Sequence, residues 1–243
     1  MVVEFIGVSG SGKTTVVRAL LDRLSKGTCE TVPLRGSLTN SSTFKKIEYR
    51  IWQIKKILHQ ALANIGSTVT LLNEVDSLNT SFIATCVNGG SLKWLRLCLL
   101  SGYFKSNNKV GVFDQGPIQF IPGLNRHSSD RSDFYNKCIS TLLKVNMCPD
   151  LVIALDVSSE TAIDRCRNRG GEDADRHANK IGYSSLNESI SDSIRILNDQ
   201  LKSLERHNIE YIVINNDGRR VESVVDNVVE AICMHKENGS YKL

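Results

Sequence analysis

Apolar runs of strand length alternate with amphipathic helical patterns along this chain. Met1 to Ile6 is rich in Val and Ile and reads as a buried parallel strand. A glycine-rich loop follows. Val16, Val17, Leu20, Leu21 and Leu24 then fall on one helical face. Three later runs also read as strands: Lys109 to Asp114, Leu151 to Asp156, and Ile209 to Ile214, which enters the turn Asn215-Asn216-Asp217-Gly218. Glu30 to Leu34 is a weaker candidate. Helices are predicted over Phe134 to Val145, Leu186 to Glu205 and Val221 to His235. Strands that alternate with helices give an α/β fold around a parallel sheet.

Residues 36 to 108 break the alternation. Phe44, Ile47, Ile51, Ile54 and Leu58 recur at helical spacing, with Lys45, Lys46, Arg50, Lys55 and Lys56 among them. Leu92 to Leu100 reads as another helix. This stretch is expected to be a helical insertion on one side of the sheet. Its basic helix reads as a solvated face, and Trp52, Trp94 and Tyr103 read as core aromatics. With no linker, repeat or low-complexity tract, residues 1 to 243 are expected to form one unit.

Composition narrows the classes. The 243 residues are 41% hydrophobic and 23% charged, as in ordinary globular proteins. The net charge of +4 is too small to favour nucleic acid as a partner. Apolar runs stop well short of the ~20 residues that a membrane span requires. No secretory signal fits the N-terminus, because the first apolar stretch ends at Gly7. The seven cysteines form no CxxC pair and no zinc spacing, which suits reduced thiols in the cytoplasm.

The loop after the first strand carries the main chemistry. Gly7-Val8-Ser9-Gly10-Ser11-Gly12-Lys13-Thr14 satisfies the phosphate-binding loop pattern, in the strand-loop-helix context it requires. Its backbone N–H groups and the dipole of the next helix are suited to phosphates. Gly7, Ser9, Gly10, Ser11, Gly12, Lys13, Thr14 and Thr15 are therefore the expected nucleotide-binding residues. Lys13 is expected to reach the β- and γ-phosphates of ATP, and Thr14 to ligate Mg²⁺.

Asp114 ends a strand at the carboxyl edge of the sheet, where ligands bind in open α/β folds. It is expected to serve Mg²⁺ or to accept a proton from an acceptor hydroxyl. Asp156 also ends a strand, but Ser158-Ser159-Glu160 follows and points to helix capping. Arg165, Arg167 and Arg169 precede Gly170-Gly171 and Asp175-Arg176. Arg165 and Arg169 share a helical face and suit the charge that gathers in phosphoryl transfer. Residues 165 to 183 would then form a lid hinged at the glycines. Arg35, Gln115 and Arg176 are the candidate acceptor-binding residues.

Taken together, IGVSGSGKTT, VFDQGP and LDVSSETAIDRCRNRGGEDADR resemble the thymidylate kinase-like branch of the P-loop nucleoside and nucleotide kinases. The resemblance implies a P-loop NTPase three-layer sandwich with a five-stranded parallel sheet. It also implies ATP with Mg²⁺ as cofactors, an arginine lid, and the loop Asn215 to Gly218 near the adenine. Where the family has Arg after the strand-end Asp, this chain has Gln115. Leu34-Arg35-Gly36-Ser37 stands in place of the family's acceptor motif.

The expected activity is transfer of the γ-phosphoryl group of ATP to a small-molecule acceptor: a nucleoside, a nucleotide or a sugar. The alternative is a regulatory or assembly NTPase that uses residues 36 to 108 to meet a protein partner. Phosphoryl transfer to a nucleic-acid end is a third reading, weakened by the low net charge. A homodimer is compatible with each.

Overall fold

The computed structural model describes residues 1–24, 43–78, 90–107, 110–124, 131–170 and 184–238. Among them, four strands form one parallel sheet in the order β2-β1-β3-β4: β1 (Val2–Ile6), β2 (Gly111–Phe113), β3 (Leu151–Asp156) and β4 (Tyr211–Asn215). The expected strand Glu30 to Leu34 lies outside the described residues, so a fifth strand is not observed. β2 is shorter than the run Lys109 to Asp114. Its ladder to β1 begins at Gly111, opposite Val2, where the backbone lies against the Phe104 ring.

Helix α1 (Lys13–Leu24) follows β1. Between residues 36 and 108 lie α2 (Thr43–Ala63), α3 (Ile65–Leu78) and α4 (Gly90–Ser106); α2 and α4 coincide with the two helical patterns read there, and α3 has no such reading. After β2 come a single turn, α5 (Pro117–Phe120), and α6 (Arg131–Lys144). Then α7 (Ser159–Gly170) and α8 (Leu186–Arg206) precede β4, and α9 (Val221–Asn238) closes the described chain. The Ser158 hydroxyl accepts from the Thr161 N–H and caps α7, while Ser185 accepts from Glu188 N–H at the start of α8.

Side-chain alternation along the strands builds the three layers. Val3, Phe5, Ile153 and Leu155 face a core shared with α1 and α9, through Val16, Leu20, Val224 and Val228. Ile6, Val152 and Ala154 face the opposite core, with Trp94 of α4, Ile139 and Leu142 of α6 and Leu204 of α8. Helices thus cover both faces of a parallel sheet, and the strands are apolar on both sides. Trp94 and Tyr103 belong to the core, and Trp52 packs against it. Among the described residues, no helix is long and apolar enough to cross a membrane.

Candidate active site

The carboxyl ends of β1, β2, β3 and β4 converge on the loop between β1 and α1. Gly7, Gly10 and Gly12 adopt φ values of 150°, 84° and 89°, which side-chain-bearing residues rarely adopt. Gly10 also packs against α7. A Cβ there would lie 2.4 Å from the carbonyl oxygen of Ala162. Two amides, Thr15 N–H and Val16 N–H, donate to Gly12 O at 3.0 Å and begin α1.

Lys13 Nζ lies inside the loop and donates to Gly7 O, to Val8 O at 2.9 Å and to Ser11 Oγ at 3.3 Å. Burial pushes the ammonium pKa down to about 8; Asp114 opposes this and the Arg169 charge reinforces it. Thr14 Oγ1 donates to Asp114 Oδ2 at 2.9 Å. The other carboxylate oxygen, Asp114 Oδ1, is buried with no hydrogen-bond partner. Hard oxygen donors side by side, one of them orphaned, fit a magnesium ion. The Asp114 carboxylate borders neither of the two cavities at this edge.

The first cavity, about 320 Å³, is lined by Gly10, Gly12, Lys13, Thr14 and Thr15 of the loop, and by Arg165, Asn168 and Arg169 of α7. Arg165 and Arg169 lie in the last turns of α7. Arg165 is half-buried and donates to Gly10 O at 3.4 Å and to Asn216 O at 2.9 Å. Arg169 is exposed and reaches Arg165 O and the Cys166 sulfur. Residues 171 to 183, with Arg176, lie outside the described residues, as does Arg35.

The second cavity, about 250 Å³, shares Val8, Ser9 and Gln115 with the first. It opens between α5, α6 and α8, with Gln119, Phe120, Arg131, Tyr135, Asp192 and Gln200 among its walls. Arg131 pairs with Asp192 at 2.9 Å. Gln115, expected to bind an acceptor, is exposed at the junction of the two cavities.

Two residues that sequence reasoning missed hold the loop, and a third braces one of them. Asn216 is buried, and its Nδ2 donates to Ser11 O at 2.7 Å. Gly7 N–H donates to Gln119 Oε1 at 2.7 Å. Gln200 Nε2 donates to Ile118 O at 2.7 Å and steadies the same wall. Asp156, expected to be structural, contributes its carbonyl to Asn216 N–H at 2.8 Å, and the neighbouring Ser158 caps α7.

A phosphate loop closed by a Thr14–Asp114 pair is the geometry of a P-loop nucleotide site. The family model described as AAA domain (dynein-related subfamily) matches residues 3–133, more than half of the chain and all of the loop and β2. The chain belongs to the AAA domain (dynein-related subfamily) family. This AAA-type domain has the P-loop NTPase fold, a parallel sheet flanked by helices. It is also similar to deoxyadenosine kinase from M. mycoides with bound dATP, at 16% identity and a TM-score of 0.46, over 96% of this chain and 99% of that chain. With bound dCTP, the M. mycoides enzyme gives 15% identity and a TM-score of 0.45, over 96% and 100% of the two chains. No curated protein sequence matches the chain.

Proposed function

We propose that this P-loop domain is an ATP-dependent phosphotransferase that moves the γ-phosphoryl group to a small-molecule acceptor: a nucleoside, a nucleotide or a sugar. The observation that carries this reading is the pair of cavities meeting at Val8, Ser9 and Gln115. One surrounds the phosphate loop. The other is a cleft of about 250 Å³, lined by polar and apolar side chains alike, that opens onto the same loop. Hydrolysis alone needs only a water molecule there.

Each residue then has a task. Backbone amides of the loop and Lys13 hold the triphosphate, and Arg165 and Arg169 face its charge from α7. Thr14 and Asp114 would hold Mg²⁺, which when bound neutralises phosphate charge. The acceptor oxygen forms its bond to the γ-phosphorus as the bond to the β-bridging oxygen breaks, leaving ADP; a phosphate acceptor brings no proton, and a hydroxyl acceptor gives its proton to solvent or to an oxygen of the transferred phosphoryl group. Asp114 accepts from Thr14 and keeps one buried oxygen without a hydrogen-bond partner, so we assign it to the metal. Little covalent work is required of the protein, and positioning supplies most of the rate. The motif resemblance supports a finer position in the thymidylate kinase-like branch, and the buried free thiols at Cys98, Cys138, Cys148 and Cys166 suit a cytoplasmic enzyme.

The AAA-domain match favours a second reading, a nucleotide-dependent regulatory or assembly NTPase with a protein partner. ATP consumption screened over nucleosides, nucleotides and sugars separates the two, with Lys13→Ala as the inactive control. The kinase reading expects at least one acceptor to raise turnover and to appear phosphorylated. A flat screen, with hydrolysis stimulated only by a protein, overturns it in favour of the second.

A further inference from the structure

Strand β1 reads Val-Val-Glu-Phe-Ile, and every residue in it is buried. Glu4 stands in the middle of the sheet, opposite Phe113 of β2 and Val152 of β3, with 0% exposure. A carboxylate there is costly unless its oxygens are satisfied. It satisfies them with backbone alone. Ile118 N–H donates to Glu4 Oε2 at 3.1 Å and Gln119 N–H donates to Glu4 Oε1 at 2.6 Å, with the Gly116 backbone close beside the carboxyl.

The turn is shaped to this group. A Cβ on Gly116 would fall 2.5 Å from Glu4 Cδ, so the approach requires glycine at that position. Pro117 brings no N–H that would lack a partner. The same turn reaches the nucleotide site, because Gln119 Oε1 accepts from Gly7 N–H, the first amide of the phosphate loop, at 2.7 Å. Gln115, at the junction of the two cavities, directly precedes it.

We propose that Glu4 is a positioning residue: its buried carboxyl group gathers the amides of Ile118 and Gln119 and thereby holds Gln119 against Gly7, setting the phosphate loop from below. The proposal rests on the nucleotide-site reading only for its consequence in binding; the clamp itself is a property of the free chain.

The test is a double-mutant cycle of Glu4→Gln, Gln119→Ala and the pair, with two readouts. Amide hydrogen exchange at Gly7 is measured on the nucleotide-free protein, and calorimetry gives the Kd for Mg-ATP. Glu4→Gln keeps the shape but places an amide NH₂ where a carboxyl oxygen accepts, so one of the two backbone donors loses its acceptor. Gly7 is expected to lose about tenfold of its exchange protection in each single variant. Nucleotide affinity is expected to fall about 2- to 10-fold, as for one lost hydrogen bond. The double variant is expected to be no worse than the poorer single. A merely structural Glu4 would leave Gly7 exchange and Kd unmoved, whatever the melting temperature does; that result, or additive effects in the cycle, overturns the proposal. Should Glu4→Gln fail to fold, Glu4→Asp, which withdraws the carboxylate by one methylene, replaces it in the cycle. Absent Mg-ATP binding by the wild-type chain refutes the nucleotide-site reading, and Gly7 exchange still decides the clamp.

Discussion

Asn216→Ala tests whether the loop after β4 tunes the phosphate loop. Asn216 is 4% exposed, and its side-chain amide donates to Ser11 O at 2.7 Å. Its truncation leaves that carbonyl with a lost donor, at about 1–3 kcal/mol. The backbone contacts of residue 216, to Asp156 O and from Arg165, do not depend on the side chain and remain. The loss therefore falls on the loop, which nucleotide must reorder. At about 1.4 kcal/mol per tenfold, Mg-ATP affinity is expected to drop roughly 5- to 100-fold. The melting temperature is expected to fall by several degrees, at about 2–4 °C per kcal/mol for a chain of this length. Asn216→Asp sharpens the test. It keeps the shape but turns a donor into a negative charge beside the Ser11 carbonyl and the expected triphosphate. Its affinity is expected to fall at least tenfold below that of the alanine variant, at similar stability. Calorimetric Kd values with nucleotide-free melting curves are the measurements. An alanine variant with lower melting temperature and unchanged Kd, or an Asp variant that binds like wild type, refutes the reasoning.

Three further predictions follow from the same geometry. Asp114→Asn is expected to raise the Mg²⁺ concentration needed for half-maximal turnover by about tenfold or more while leaving nucleotide binding without metal within about twofold; a turnover loss that excess Mg²⁺ leaves intact would return Asp114 to the role of base. Gly10→Ala brings a Cβ within 2.4 Å of Ala162 O at φ 84°, so it is expected to cost about 1–3 kcal/mol and to abolish measurable ATP binding, checked by melting curves and calorimetry. Burial raises the Glu4 carboxyl from 4.5 to about 8, against the pull of the backbone amides of residues 116, 118 and 119. A raised folded pKa means that its stabilisation is complete below about 4.5 and is lost as pH climbs through about 8. The melting temperature of Glu4→Gln relative to wild type is therefore expected to increase steadily from pH 5 to pH 8.5, and a difference that is flat with pH refutes the assignment.

The sequence made the phosphate loop legible because its chemistry is contiguous: eight neighbouring residues carry the glycines, the lysine and the hydroxyl. The alternation of strands and helices was equally legible, since burial on both sides of a parallel sheet leaves short unbroken apolar runs. The supports of the loop were not legible, for a physical reason. Asn216 meets Ser11 across 205 positions, and Gln119 meets Gly7 across 112. No local pattern marks such a pair, and polar residues in turns are ordinary. Arg165 illustrates the converse. Its spacing from Arg169 on one helical face is visible, yet its guanidinium binds carbonyls of the phosphate loop and of Asn216, which spacing alone does not reveal. Glu4 is the exception that carried a signal: a charge in the centre of an otherwise apolar strand. Such a residue is retained against a large desolvation cost only where several donors converge, and here the donors belong to the turn that bears Gln119. A lone carboxylate in a central strand, followed a hundred residues later by Gly-Pro beyond a strand end, is thus a readable clue to how a phosphate loop is held.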